Sequence, residues 1–291
     1  MHGRRFSAGP GRLERTAILA LAAHWALIGL SACGGSVPLL HPAHVLASGE
    51  VSAGAGVSGR FASSATERVI DRGRSAADAN LADPAARETY ALGLLTEAVV
   101  APGASPWLAL RVGLPESTEA GMTYTGRSLR VDGRHALRLD GWALSIGLGA
   151  SAVLESLGSE SPGGTEAAGA ETELSVSGWG IDLPLVVGYR SVGEFVDFWA
   201  GGRIGYDAVE GELSAGGGTT PWSATGDRLW ASALGGFSVG VPPVWLHVEI
   251  DATFHRLDGE LTGAERPAPP LGRAEHSGWT LSPSAGLVGR F

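Results

Sequence analysis

The chain has 291 residues, of which 45 are glycine and one is cysteine, and its formal net charge is -9. A hydrophobic fraction of 44% excludes a disordered chain, and one cysteine excludes a disulfide framework. The acidic balance, with no basic stripe, argues against a nucleic-acid partner.

The first 32 residues have the pattern of a secretion signal. Residues 1–15 carry four arginines and a single glutamate, and the apolar run from Thr16 to Leu30 follows them directly. This run has the length of a signal-peptide core and is too short for a membrane-spanning helix. We therefore predict that residues 1–32 are removed and that the protein is exported.

The end of this leader carries a short motif, Leu30-Ser31-Ala32-Cys33. It resembles the lipobox of bacterial lipoproteins, which implies cleavage before Cys33 and attachment of acyl chains such as palmitate to that residue. Gly34 stands where an aspartate would imply retention at the inner membrane, so the resemblance implies the outer membrane. Ordinary signal-peptidase cleavage nearby, with Cys33 as a free thiol, is the alternative.

Residues 45–291 show apolar positions that alternate with polar or small ones, which is typical of β-strands. In the clearest segment, Val244 to His255, the even positions are apolar and the odd positions are mostly polar. The second of the ten predicted strands could instead be a short helix, and the gap at 64–86 could hold a helical turn. The predicted strands span residues 46–62, 88–100, 106–114, 120–138, 142–154, 178–190, 194–210, 228–240, 244–255 and 279–291.

The last of these segments ends on Phe291. It resembles the C-terminal assembly signal of bacterial outer-membrane β-barrel proteins, although Pro283 departs from the usual pattern. Long and short gaps between the predicted strands mostly alternate, as external loops and periplasmic turns do in such barrels. We predict an all-β, antiparallel up-and-down transmembrane barrel of ten strands, with eight or twelve as alternatives, over residues 45–291. Residues 33–44 are predicted to be a lipidated tether on the periplasmic side.

The inward faces of the predicted strands carry charges of both signs. The candidate lumen cluster consists of Asp182, Arg203, His247, Glu249 and Asp251, with Asp182 opposite Arg203 across a tight turn. A ten-stranded barrel is only slightly wider than the eight-stranded size that side chains fill. These charges and the inward tryptophans are therefore predicted to plug the lumen.

Catalysis and metal binding are not expected. His247 and His255 would lie roughly 27 Å apart on a straight strand, too far to share one metal ion. The mature chain has no H-E-x-x-H or phosphate-loop motif. We predict no catalytic residue, no metal and no cofactor.

The pattern as a whole predicts a lipid-anchored, monomeric outer-membrane barrel with a structural or surface role. Its expected partners are outer-membrane lipid and the machineries that process lipoproteins and assemble barrels, with no nucleic acid. One alternative is an outer-membrane hydrolase that uses histidines and acids of the lumen or rim. The other is a soluble, periplasm-facing, lipocalin-like lipoprotein, which would bury its apolar face inward.

Overall fold

The computed structural model describes residues 37–77, 83–153, 156–157, 172–215, 222–262 and 270–291. Cys33 and the predicted signal peptide lie outside the described residues. The long strands are β1 (Val51–Ala62), β2 (Gly103–Leu114), β3 (Thr118–Tyr124), β4 (Ser128–Leu139), β5 (Trp142–Val153), β6 (Thr172–Arg190), β7 (Val196–Ala215), β8 (Trp222–Val241), β9 (Val244–Thr262) and β10 (Pro270–Arg290). The helices are α1 (Ser64–Ala77) and α2 (Pro84–Val100), and a two-residue strand, Ser156–Leu157, also pairs with β6.

The ten long strands form one antiparallel sheet that closes on itself. β1 pairs with β10, with Ser52 opposite Arg290 and Ala62 opposite Thr280, and β5 pairs with β6. Closure leaves no unpaired sheet edge along the barrel wall. The predicted all-β, ten-stranded antiparallel barrel is therefore confirmed.

The two ends of the barrel differ in the length of their connections. We call one the short-turn end and the other, which carries α1, α2 and the longer connections, the loop end. Alternation of this kind is usual in membrane barrels, where the short turns face the periplasm. The short-turn end comprises the connections at 115–117, 140–141, 191–195 and 242–243.

The apolar faces of the strands point outward and the polar faces inward, which is the reverse of a soluble protein. On β9, Ile250 is 52% exposed on the outer face, while its neighbours Glu249 and Asp251 point inward and are buried. Exposed large apolar side chains occur on all ten long strands. A continuous apolar exterior of this extent is stable only against lipid. It conflicts with the lipocalin-like alternative, which requires the apolar face to point inward.

One predicted strand, residues 88–100, is wrong, because this segment belongs to α2. Asp83 caps the helix by accepting a hydrogen bond from the Ala85 amide, at 3.2 Å, and proline occupies the first turn. Ala101, with a φ of 46°, ends the helix. Alanine, leucine and glutamate favour helix here, which agrees with the short-helix alternative for this segment.

A second predicted segment, residues 120–138, is two strands rather than one. Gly126, with a φ of 75°, supplies the left-handed conformation that reverses the chain between β3 and β4. The Thr125 amide donates to the Ser128 carbonyl across this turn, at 3.0 Å. The predicted number of strands is correct because one segment was counted as a strand in error and another held two.

Helices α1 and α2 form a hairpin over the loop end of the lumen. They touch at Gly73 and Gly93, where a Cβ on either residue would lie within about 2.5 Å of the other's Cα. Tyr90 and Leu95 pack with Leu257 and other inward strand residues in a buried apolar cluster. Among the described helices, none is long and apolar enough to cross a membrane.

The apolar exterior predicts that an introduced charge lowers the stability of the barrel more at the bilayer midplane than near the membrane surface. Leu148, in the middle of β5, is 62% exposed. Leu148→Arg should lower the free energy of unfolding by about 2–4 kcal/mol, because it puts a charge at the bilayer midplane. The matched change Val241→Arg, at the short-turn end of β8, should cost about 0–1 kcal/mol. Urea unfolding in phospholipid vesicles measures both, and equal losses would contradict a lipid-embedded exterior.

Candidate functional site in the barrel lumen

The described residues before β1 run inside the barrel. Residues 37–46, here called the inner segment, have the sequence VPLLHPAHVL, and every residue from Pro38 to Leu46 is buried. The described part of the predicted tether, residues 37–44, is therefore in the lumen and does not lie outside it. That residues 33–44 are a lipidated tether stays a prediction, and the sequence pattern does not show that the lumen offers hydrogen-bond partners to this main chain.

Two lumen carboxylates accept hydrogen bonds from backbone amides of the inner segment. Glu249 accepts from the amides of Leu39 and Leu40, at 2.9 and 3.0 Å, and also from the Trp199 indole nitrogen. Glu119 accepts from the Leu46 amide, at 2.9 Å. A buried amide requires a hydrogen-bond acceptor, so these contacts fix both ends of the segment.

Arginines and one histidine bind its carbonyl groups. Arg134 contributes two of these hydrogen bonds, and the imidazole Nδ1 of His247 lies 2.9 Å from the Leu40 carbonyl oxygen. The complete set is Val37 with Arg203, Leu40 with His247, Pro42 and His44 with Arg134, and Val45 with Arg138. The barrel therefore holds this segment mainly through its backbone.

The side chains of the inner segment fill apolar gaps in the wall. Leu39 and Ala43 share a buried cluster with Trp199, and Leu40 packs with Trp107. At Gly188 an added Cβ would lie 3.1 Å from the Ala43 Cβ, so a glycine is needed to make room for the segment.

The inner segment is uncharged at neutral pH. Burial, reinforced by Arg134, lowers the pKa of His41 well below its usual value. Burial and the nearby Arg190 likewise lower the pKa of His44. Both imidazoles are thus neutral in the folded protein, and the segment contributes no ion pair to the lumen.

Four arginines and three carboxylates of the lumen form a continuous chain of ion pairs. Neighbouring members form ion pairs, among them Arg134–Glu119 at 3.0 Å and Arg130–Asp182 at 2.8 Å. Its ends contact the inner segment, through Arg134 and Glu119 at one end and Arg203 at the other. The chain runs Arg134–Glu119–Arg111–Asp132–Arg130–Asp182–Arg203.

The structure brings only part of the predicted lumen cluster together. Asp182 and Arg203 are paired at 3.2 Å, but Arg203 lies opposite Pro184 rather than Asp182, because the connection between β6 and β7 is longer than a two-residue turn. His247 and Glu249 meet at the inner segment, on Leu40.

Other predicted residues have separate roles. Asp251 accepts a hydrogen bond from Thr253 and does not bind the inner segment. Phe291 exchanges two backbone hydrogen bonds with Val51, at 2.8 and 2.9 Å, and so extends the β1–β10 pairing to the last residue. His255 packs beside His276 near the helical hairpin, away from His247. In the described part of the chain, no group of three or more His, Cys, Asp or Glu residues could hold a metal ion.

The helical hairpin is also held by lumen arginines. The last carbonyls of α2 accept hydrogen bonds from two strand arginines and from one arginine in the turn between β3 and β4. Cations there also complement the negative end of the helix dipole. Sequence analysis missed these contacts, although the position of arginines on inward strand faces is the signal that could have indicated them. The pairs are Ala98 with Arg127, Val99 with Arg228 and Val100 with Arg60.

A small polar cavity separates the inner segment from the α1–α2 hairpin. Its volume is about 70 Å³, and Val37 and Pro38 line it from the short-turn side. Arg60 and Arg228, which hold α2, line it together with Asp251. A space of this size and polarity holds a few water molecules.

No protein-family model matches the chain, and no curated protein matches it. Solved structures similar to it include outer membrane protease OmpT from Escherichia coli, with 11% identity, a TM-score of 0.42, and coverage of 84% of this chain and 94% of that one. Neisserial surface protein A has 12% identity and a TM-score of 0.30, with 83% and 96% covered. Ail of Yersinia pestis has 10% identity and a TM-score of 0.29, with 84% and 99% covered.

The class of this protein follows from its own architecture. A closed antiparallel barrel of ten strands, apolar outside and charged inside, is a membrane-spanning β-barrel of the bacterial outer-membrane type. Its lumen carries buried carboxylates that are bound to arginines or to main-chain amides. What this arrangement does chemically is bind a stretch of polypeptide whose backbone is left-handed at Leu40, with a φ of 46°.

The carboxylate of Glu249 should control how firmly the inner segment is held. Glu249→Gln places an amide NH₂ where only acceptors fit, and we expect hydrogen exchange at Leu39 and Leu40 to accelerate roughly 10- to 100-fold. The matched control is Asp251→Asn on the same face of β9, which should leave both rates within about twofold. Mass spectrometry of the micelle-bound protein measures the hydrogen-exchange rates. Equal rates in both variants would contradict the role of Glu249 in holding the inner segment.

Proposed function

We propose that this protein is an integral barrel of the bacterial outer membrane with a sealed lumen and a structural or surface role. The observation that carries the proposal is that the lumen is occupied from both ends. The inner segment fills the short-turn end, and the α1–α2 hairpin covers the loop end. The short-turn end then faces the periplasm, and the long connections face outside.

Lipid attachment at Cys33 is the second part of the proposal, and it rests on the lipobox resemblance. Cys33 is four positions before Val37, a reach of about 14 Å when fully extended. Val37 is surrounded by the closed wall and bound by Arg203. Acyl chains on Cys33 therefore reach a leaflet only when the first residues of the inner segment leave their positions, while the residues nearer β1 can remain bound.

The hydrolase alternative would need an acid or imidazole free to meet a substrate. Asp182 lies between Arg130 and Arg203, and Glu249 is saturated by three N–H donors. The geometry therefore favours a sealing role over catalysis for these residues.

A sealed lumen predicts electrical silence. The unaltered protein in a planar lipid bilayer should show no steady conductance, whereas Leu40→Asp should show openings, because it buries an unpaired charge and expels the inner segment. Leu40→Met, which preserves volume and polarity, should stay silent. A steady open conductance of the unaltered protein would refute the proposal.

Lipidation and membrane insertion are predicted to be separable. Cys33→Ala should abolish incorporation of radiolabelled palmitate, yet the protein should remain in the membrane fraction after carbonate extraction, because the barrel itself is embedded. Ser36→Ala should keep both properties. Release of the Cys33→Ala protein into the soluble fraction would show that the lipid, and not the barrel, holds it in the membrane.

A further inference from the structure

We propose that His255 and His276, together with the hydroxyl group of Thr66, form a binding site for a divalent transition-metal ion of the zinc and copper class beneath helix α1. The site lies at the loop end of the lumen. It goes beyond the sealed barrel proposed above, because it assigns a ligand to residues that neither the inner segment nor the ion-pair chain uses.

The pairing of β9 with β10 places the two histidines side by side. His255 is directly opposite Gly278, and Leu257 is directly opposite His276. The two histidines are therefore diagonal neighbours on one face of the sheet, with ring centroids 6.2 Å apart. They are far apart in the sequence, and only the strand register brings them together.

Three potential ligand atoms converge on one point, because Gly278 has no side chain. A Cβ at Gly278 would touch the Thr66 Oγ1 and would lie 3.1 Å from the His276 Nε2 and 3.3 Å from the His255 Nε2. Zinc lies about 2.0–2.1 Å from a histidine nitrogen, so shifts of about 1 Å in the two rings bring both nitrogens to an ion at this point.

His255 is buried there without a hydrogen-bond partner. It is 1% exposed, and neither of its ring nitrogens has a partner among the described residues. A buried polar group without a partner costs free energy, and coordination to a metal ion satisfies the Nε2 of His255. His276 and the fully buried Thr66 supply two further positions, and water completes a four-coordinate site.

The ligand atoms determine which ions fit. Imidazole nitrogens suit zinc, copper and nickel, whereas magnesium and calcium prefer sets of oxygen ligands. His276 is only partly buried, so an ion can reach it from solvent at the loop end.

Two arginines near the histidines weaken the attraction for a cation. Arg60 and Arg228 both act electrostatically on His255. Each has a partner of its own, since Arg228 pairs with Asp207 and Arg60 donates to the Val100 carbonyl. They therefore reduce the affinity of the site without occupying it.

A bound ion would join the helical hairpin to the barrel wall. Thr66 belongs to the first turn of α1, whereas His255 and His276 belong to β9 and β10. The ion would cross-link these three elements and hold α1 over the loop end. Because it binds the folded protein, it would also raise the temperature of unfolding.

Titration of the full chain with Zn²⁺ in detergent micelles tests the site. All proteins carry Cys33→Ala, so that the single thiol does not compete. His255→Gln and His276→Gln should each weaken Zn²⁺ binding by at least about tenfold and remove the rise in unfolding temperature. The matched control is His135→Gln, because His135 is exposed on β4, and it should behave as the unaltered chain. Mg²⁺ should produce neither effect.

Gly278→Ala provides a second test that keeps all three ligands. Its methyl group occupies the point where the ion would lie, so Zn²⁺ binding should be lost. Gly133→Ala should keep it, because a Cβ there has its nearest neighbour at 4.0 Å. Heat-dependent electrophoretic mobility reports folding of each variant.

If the unaltered chain does not bind Zn²⁺, or if the folded histidine variants bind it equally tightly, the inference is overturned. Failure of the sealed barrel would show differently, as steady conductance of the unaltered chain without metal.

Discussion

The antiparallel pairing between β1 and β10 is the contact on which the rest of this structure depends. It joins the first and last strands from Ser52–Arg290 to Ala62–Thr280, and Phe291 continues it by two backbone hydrogen bonds to Val51. Once the sheet is closed, every strand has one face towards lipid and one towards a narrow interior. The alternating apolar and polar residues of each strand then face lipid and the barrel interior, respectively.

That division determines how the interior is filled. Buried charges are stable only when paired or hydrogen-bonded, and the lumen meets this condition with an alternating chain of arginines and carboxylates. Glu249 meets it differently, since its partners are the amides of Leu39 and Leu40 and the indole of Trp199. The inner segment is therefore part of how the interior satisfies its polar groups. Removing it would leave Glu249 buried with two of its three donors missing.

The strands could be predicted from the sequence because apolar and polar residues alternate with a period of two, as in Val244 to His255. Helix α2 could not, because a leucine- and alanine-rich segment of that length fits either period, and its cap at Asp83 decides. The lumen cluster was recognisable as inward charge, yet its partners depend on register and closure. The inner segment was missed because it is bound through its backbone, which leaves no mark in side-chain chemistry.

The central claim is that residues 37–46 lie inside the lumen, and a disulfide tests it most directly. Ala43 and Ala143 are small residues of one buried apolar cluster, so cysteines at both positions need little new space. Ala43→Cys with Ala143→Cys, in a Cys33→Ala background, should therefore oxidise to a disulfide in intact membranes. Ala43→Cys with Ser151→Cys should not, because Ser151 is eight residues along β5 from Ala143. If both thiols of the first pair stay reduced and react with maleimide as readily as the control pair, the segment is outside the barrel and the account is wrong.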